Sequence, residues 1–354
     1  MSEVVALGPA DAETRWIGIR RHQALLAIAG LALAGVGLLA HHSSVPEIAL
    51  GVLLLVLAIP ISSGPTVGEF AATAFRYLAR SRWNSFAMRE FNGDVLLFAP
   101  HDVAFRVYEL DHRGRLDLSG RDVALAESLI ALVDAASAAS EDQHVSQHVT
   151  RRGALASTIL TLPPSTPPPD GWRLCNSLAG RAVHLGDEAS LEFYERFTYL
   201  RADAELIRIF RVTDFSSVPE SKSLLEHVLR TPIDVDVCVH VDVVAGAKAQ
   251  RMAARAVHQM RSDDVTTSAA GFRRTARASR GFERLAQREV LVANGRALVR
   301  LGVFIVVSAS SLERLHHDSA VLWRRAHDGG LRLERGWGRQ REWFRAQLPG
   351  GPGW

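Results

Sequence analysis

IDVDVCVHVDVV, residues 233–244, alternates without a break: Ile233, Val235, Val237, Val239, Val241 and Val243 fall on one side, and Asp234, Asp236, Cys238, His240 and Asp242 on the other. A period of two held this long predicts a β-strand, with an apolar face against a core and a polar face toward water. Working outward toward the carboxyl terminus, helical spacing predicts helices from about Ala247 to Arg261 and from about Ala269 to Ala293, and then a second strong strand from Ala297 to Val307. Ser310 and Glu313 read as a capping box for an amphipathic helix with Leu312, Leu315, Ser319 and Leu322 on one side. LRLERGW (331–337) and GRQREWFRAQLPG (338–350) read as a short strand and a closing helix.

Toward the amino terminus, DVLLFAP (94–100) and VAFRVYELDHR (103–113) read as a hairpin, followed by a helix carrying Leu125, Leu129, Leu132 and Val133. HVSQHVTRR (144–152), ALASTILTL (154–162) and AELIRIFRVTDF (204–215) read as strands, and the prolines of TLPPSTPPPDGW (161–172) impose an exposed loop. A helix is expected around Leu191 to Leu200, and Ser217, Pro219 and Glu220 mark the start of another, SKSLLEHVLR. This order predicts an α+β fold for residues 93–349, with mainly antiparallel sheets covered by helices on one face.

The chain has 354 residues and ordinary apolar content, but two apolar runs lie close together before residue 65. ALLAIAGLALAGVGLLA (24–40) and IALGVLLLVLAIPI (48–61) are joined by HHSSVPE, and they predict a transmembrane helical hairpin over residues 23–63. Arg15, Arg20 and Arg21 precede the hairpin, Arg76, Arg80 and Arg82 follow it, and its connecting loop holds no Lys or Arg. The expectation is therefore a multi-pass protein of the inner (cytoplasmic) membrane with both termini cytoplasmic, residues 1–22 forming a cytosolic tail. Competing readings are a signal peptide before a secreted domain and a core hairpin of a soluble protein. Residues 64–92 read as a juxtamembrane amphipathic segment along anionic lipid, against the plainer alternative of a solvated linker.

Lys222 and Lys248 are the only lysines, and Cys175 and Cys238 are too few for a disulfide framework, so both are expected as reduced packing residues. Asp236, Cys238 and His240 are metal-ligand types, but alternate strand residues stand ~6.6 Å apart, so one zinc ion would reach at most two of them; a solvated face is the simpler reading. His144 and His148 have the spacing of a helical metal pair, yet HVSQH lacks the acidic base of a zincin and sits in a strand-like setting. His41, His42, His316 and His317 read as turn and surface residues. Arg273, Arg277, Arg280, Arg284 and Arg288 recur at helical spacing and form a candidate partner- or anion-binding stripe, diluted by Glu283 and Glu289. Its partner would be nucleic acid, anionic lipid or an acidic protein patch, or the stripe is simply solvated.

The sequence holds no P-loop, G-x-S-x-G, S-x-x-K, CxxC or H-E-x-x-H motif, so no catalytic residue, metal or cofactor is expected. With the hairpin, FRVYELDHRGRLDLSGRDVALAESLIALVDA (105–135), QHVSQHVTRR (143–152) and the segment from Leu298 to Gly350 resemble a family from actinobacterial conjugation and type IV secretion machinery. In that family an inner-membrane hairpin precedes a cytosolic domain similar to the non-catalytic amino-terminal domain of the secretion assembly ATPase. The resemblance implies a membrane-anchored scaffold or docking subunit that meets other inner-membrane secretion subunits and recruits a separate ATPase. A type VII secretion membrane subunit is the alternative of the same kind. A membrane-tethered metal-dependent enzyme using Asp236, Cys238 and His240 is the alternative of a different kind.

Overall fold

The computed structural model describes residues 15–16, 19–39, 45–59, 66–80, 83–91, 95–98, 103–110, 143–152, 155–166, 168, 172–174, 190–202, 205–214, 226–244, 246–269, 276–295 and 298–347. In chain order these form β1 (Arg15–Trp16), β2 (Ile19–Arg20), α1 (Arg21–Leu39), α2 (Val45–Ala58), α3 (Val67–Ala79), β3 (Trp83–Phe91), β4 (Val95–Phe98) and β5 (Val103–Leu110). They continue as β6 (Gln143–Arg152), β7 (Leu155–Leu162), β8 (Trp172–Leu174), β9 (Ser190–Glu195), β10 (Leu200–Ala202), β11 (Glu205–Asp214), α4 (Glu226–Leu229) and β12 (Val235–Val244). The last are α5 (Gly246–Ala269), α6 (Ala276–Ala293), β13 (Leu298–Ala309), α7 (Leu312–Asp328), β14 (Arg332–Arg335) and α8 (Gln340–Gln347).

Among the described residues every strand pairing is antiparallel. The main sheet runs β10-β9-β3-β4-β5-β7-β6-β12-β13-β11-β14, with β8 on β5, and a further β10–β11 pairing turns the order back on itself. Its centre is β6, β12 and β13, where Cys238 stands between His148 and Phe304. The antiparallel α+β class follows from these pairings.

The sheet is covered on both faces, where one covered face was expected. Val237, Val239, Val303 and Ile305 pack on one side with Leu315, Leu322 and Ala326 of α7. Cys238, Phe304, Val306, Ile207 and Ile209 pack on the other with Trp343 and Phe344 of α8. Gln340 fixes α8 there by imitating a neighbouring strand: its Oε1 accepts from the Ile209 N–H at 2.9 Å and its Nε2 reaches the Ile209 carbonyl at 3.4 Å, while also donating to the Gly336 carbonyl at 2.9 Å. Gly336 is required at that corner, since a Cβ would stand 2.6 Å from the Trp343 ring. α7 is capped by Ser311, whose side chain accepts from the Arg314 N–H, one residue later than the sequence reading placed the cap.

The amino-terminal helices form, but neither has the length and apolar content expected of a transmembrane hairpin. Among the described residues, no helix is long and apolar enough to cross a membrane. α1 has 19 residues but opens on Arg21, His22 and Gln23, and α2 has only 14. The apolar part of α1 rises ~24 Å and α2 ~21 Å, against a hydrocarbon core of ~30 Å. The expected hairpin spanning the membrane over residues 23–63, and the multi-pass inner-membrane localisation with both termini cytoplasmic, are corrected accordingly. The two helices instead close tightly on each other through small residues, a Cβ on Gly51 falling 2.7 Å from both the Ala34 nitrogen and the Gly30 carbonyl oxygen.

α3 belongs to the body as well as to the hairpin. Thr66 and Glu69 form a reciprocal capping box at its start. Phe70 meets Phe197 and Trp337 edge-on at 5.5 and 5.4 Å. Arg80, counted above among the basic residues that follow the hairpin, is committed to Glu195 and the Gly338 carbonyl. Two further expectations change: the helix around Leu191–Leu200 is β9 and β10, and Trp83–Phe91 is a strand rather than the tail of a juxtamembrane segment. The expected helix at 125–133 and the capping residues 217–220 lie outside the described residues.

Candidate functional site

The cross-strand register builds a polar row on the inner face of the sheet. β12 contributes Asp236, Cys238, His240 and Asp242; β6 places His144 opposite Asp242, Ser146 opposite His240 and His148 opposite Cys238; β13 places Arg300 beside Asp242. The expected solvated face is therefore enclosed: His240 is 0%, Cys238 1% and Asp236 7% exposed. Burial of both faces was invisible in the alternation alone, because α8 is what covers the second face.

Hydrogen bonds run along this row. Arg300 Nη2 donates to Asp242 Oδ2 at 3.1 Å, and Asp242 Oδ1 meets His144 Nδ1 at 2.5 Å. His144 Nε2 meets His240 Nδ1 at 3.1 Å, and His240 Nε2 meets Cys238 Sγ at 3.0 Å. His148 Nε2 closes the row, 3.5 Å from Cys238 Sγ and 3.1 Å from Ser146 Oγ. The His144 and His240 rings stack, and Phe304 meets His240 edge-on.

Burial sets the charge of the inner end. It holds His148 down to about 3, helped by the nearby His144, and pushes His240 well below the ordinary imidazole range. The same burial pushes the Cys238 thiol well above its usual value. The inner end is thus two neutral imidazoles and a protonated thiol, whereas a nucleophilic cysteine needs a thiolate in an accessible, electropositive setting. The nucleophile–base–carboxylate order resembles covalent catalysis, but the buried neutral thiol lacks its reactivity. Among the described residues no group of three or more His, Cys, Asp or Glu is arranged to hold a metal ion.

The arginine stripe is only partly brought together. Arg273 lies outside the described residues, while Arg277, Arg280, Arg284 and Arg288 lie on α6. Arg288 departs from a solvated stripe: it is half-buried, burial lowers its pKa, and its Nε has no hydrogen-bond partner among the described residues. α5 and α6 pack on each other, and the base of this arm enters the core through Ala249, Ala253 and Val292. Sequence reasoning missed a second row of basic residue types, on α5: Lys248, Arg251, Arg255, His258 and Arg261 are all exposed. Their spacing of three, four, three and three was the available signal.

A third feature is apolar. Ten of the thirteen large apolar side chains exposed among the described residues lie between Ile28 and Leu78, including Leu31 (63%), Leu53 (52%), Phe75 (73%) and Leu78 (67%). Compared with models of known protein families and with curated proteins, the chain matches none.

Proposed function

We propose that this chain is a non-catalytic docking subunit of a type IV secretion or conjugative transfer apparatus, joining other subunits of that apparatus to a separate ATPase. The observation that carries docking is the exposed apolar surface of α1, α2 and α3. Single exposed apolar residues are ordinary, but a concentration of this kind on one unit marks a surface that a partner covers. The anchoring of α3 to β9 and α8 gives such a surface a firm mount. Enclosure of the Cys238 row supports the non-catalytic part of the reading. The choice of apparatus rests on the resemblance carried by residues 105–135, 143–152 and 298–350.

The test is site-specific photo-crosslinking from positions 31, 53 and 78 of the full chain in its native cells, with the captured chains identified by mass spectrometry. Capture of an ATPase or of other subunits of a secretion apparatus supports the proposal. Capture of no protein chain from any of the three positions overturns it.

A further inference from the structure

The arm concentrates charge. Residues 246–293 hold ten Lys and Arg against four Asp and Glu, a net +6 in a chain whose total is +3, so the remainder is net acidic. On α5 the exposed Lys248, Arg251, Arg255, His258 and Arg261 lie opposite the side that carries buried Ala249, Ala253 and Val257. Asp264 follows Arg261 at the same spacing and ends the basic row there.

We infer that the α5–α6 arm binds the phosphate backbone of duplex nucleic acid, with the α5 row as its principal contact. From Lys248 to Arg261 the row extends ~20 Å, the length over which one duplex strand presents about six phosphates. The Lys and Arg of the row recur about every 6.5 Å on average along a straight helix, which suits a repeating anion. Their exposed neighbours are Ala247, Gln250 and Ala254. Protein interfaces centre on aromatic or aliphatic anchors, and none stands in the row between Lys248 and Arg261, the exposed Val265 lying one turn beyond its end. α5 has no Phe, Tyr or Trp, so it offers no platform for stacking unpaired bases. The chemistry is therefore contact with backbone phosphates, without readout of base sequence.

This inference is independent of the docking proposal, because its residues are separate from the apolar surface of α1–α3. The experiment is fluorescence anisotropy of the full chain with a labelled DNA duplex of about 20 base pairs, titrated between about 50 and 200 mM salt. With about four phosphates neutralised, affinity is expected to fall about 10²-fold across that range. Arg251→Ala/Arg255→Ala is expected to weaken binding at least about tenfold at low salt and to reduce the salt slope by about two. Arg251→Lys/Arg255→Lys is expected to restore most of the affinity. Circular dichroism checks that each variant is folded. Absence of duplex binding at low salt overturns the inference, as does an alanine variant that binds like the wild type. Tighter binding to a single strand than to the duplex also overturns it. So does loss, in that variant, of an acidic protein partner by a chain that binds no duplex.

Discussion

Arg80, the residue that ends α3, holds Glu195 of β9 with one nitrogen: Nη2 donates to Oε1 at 2.6 Å and to Oε2 at 2.7 Å, and it also reaches the Gly338 carbonyl at 2.8 Å. Glu195 is wholly buried, and the Arg341 N–H donates to it from the first turn of α8. Tyr77 adds a hydroxyl bond to the Glu195 carbonyl at 3.3 Å. Through this one carboxylate, α3, β9 and α8 are fixed to one another, so the apolar hairpin is mounted on the sheet.

Removing the arginine should cost more than neutralising the acid. Arg80→Ala leaves a buried carboxylate without its counter-charge, a loss of about 2 kcal/mol once the partial exposure of Arg80 is discounted. Glu195→Gln keeps the side-chain size and should cost less. Urea unfolding of the two single variants and the double variant measures this, and the double should cost less than the sum of the singles.

The buried histidines predict acid sensitivity. His148 is held at about 3 in the folded chain against an ordinary 6.5, and burial depresses His240 as well. The unfolded chain therefore binds more protons below pH 6.5, so stability is full above that value and is lost as pH falls toward the folded pKa. Both histidines act in the same direction, and for His148 the window runs from about pH 6.5 down to about 3. Urea midpoints measured between pH 7.5 and 5 should fall, and His148→Gln should flatten the dependence.

Cys238 should be chemically silent while the protein is folded. Its thiol is 1% exposed and burial raises its pKa, so a Cys175→Ser variant is expected to react with Ellman's reagent at pH 8 only on unfolding. Rapid reaction in the native state would mean that the row opens to solvent.

The sequence made the centre of the sheet legible because period two survives packing: β6, β7, β11, β12 and β13 all lie where alternation placed them. Residues 190–202 misled because LEFYERFTYL also fits helical spacing. Pairing with β3 and β11 overrides that local preference, and Phe193 and Glu195 become buried. The polar row was half legible. Alternation put Cys238 and His240 on one face, but only register sets His148 against Cys238 and His144 against Asp242. The apolar run of residues 24–40 was read as a span from composition, whereas helix boundaries decide length, and α1 takes Arg21, His22 and Gln23 into its first turn.

Close packing of α1 on α2 gives a fourth prediction. At Gly51 a side chain would collide with the backbone of α1, so Gly51→Val should separate the helices. Limited proteolysis should then cut within residues 24–59 faster than in the wild type, while the urea midpoint of the sheet stays near its original value.

Docking through the mounted apolar surface is tested most directly by pairing the crosslinks from positions 31, 53 and 78 with Leu31→Asp/Leu53→Asp in the full chain. The account predicts crosslinks to subunits of a secretion apparatus or to its ATPase in the wild type, and their loss in a variant that keeps its folded sheet. A variant that retains the same protein crosslinks, or a wild type that yields none, would contradict it.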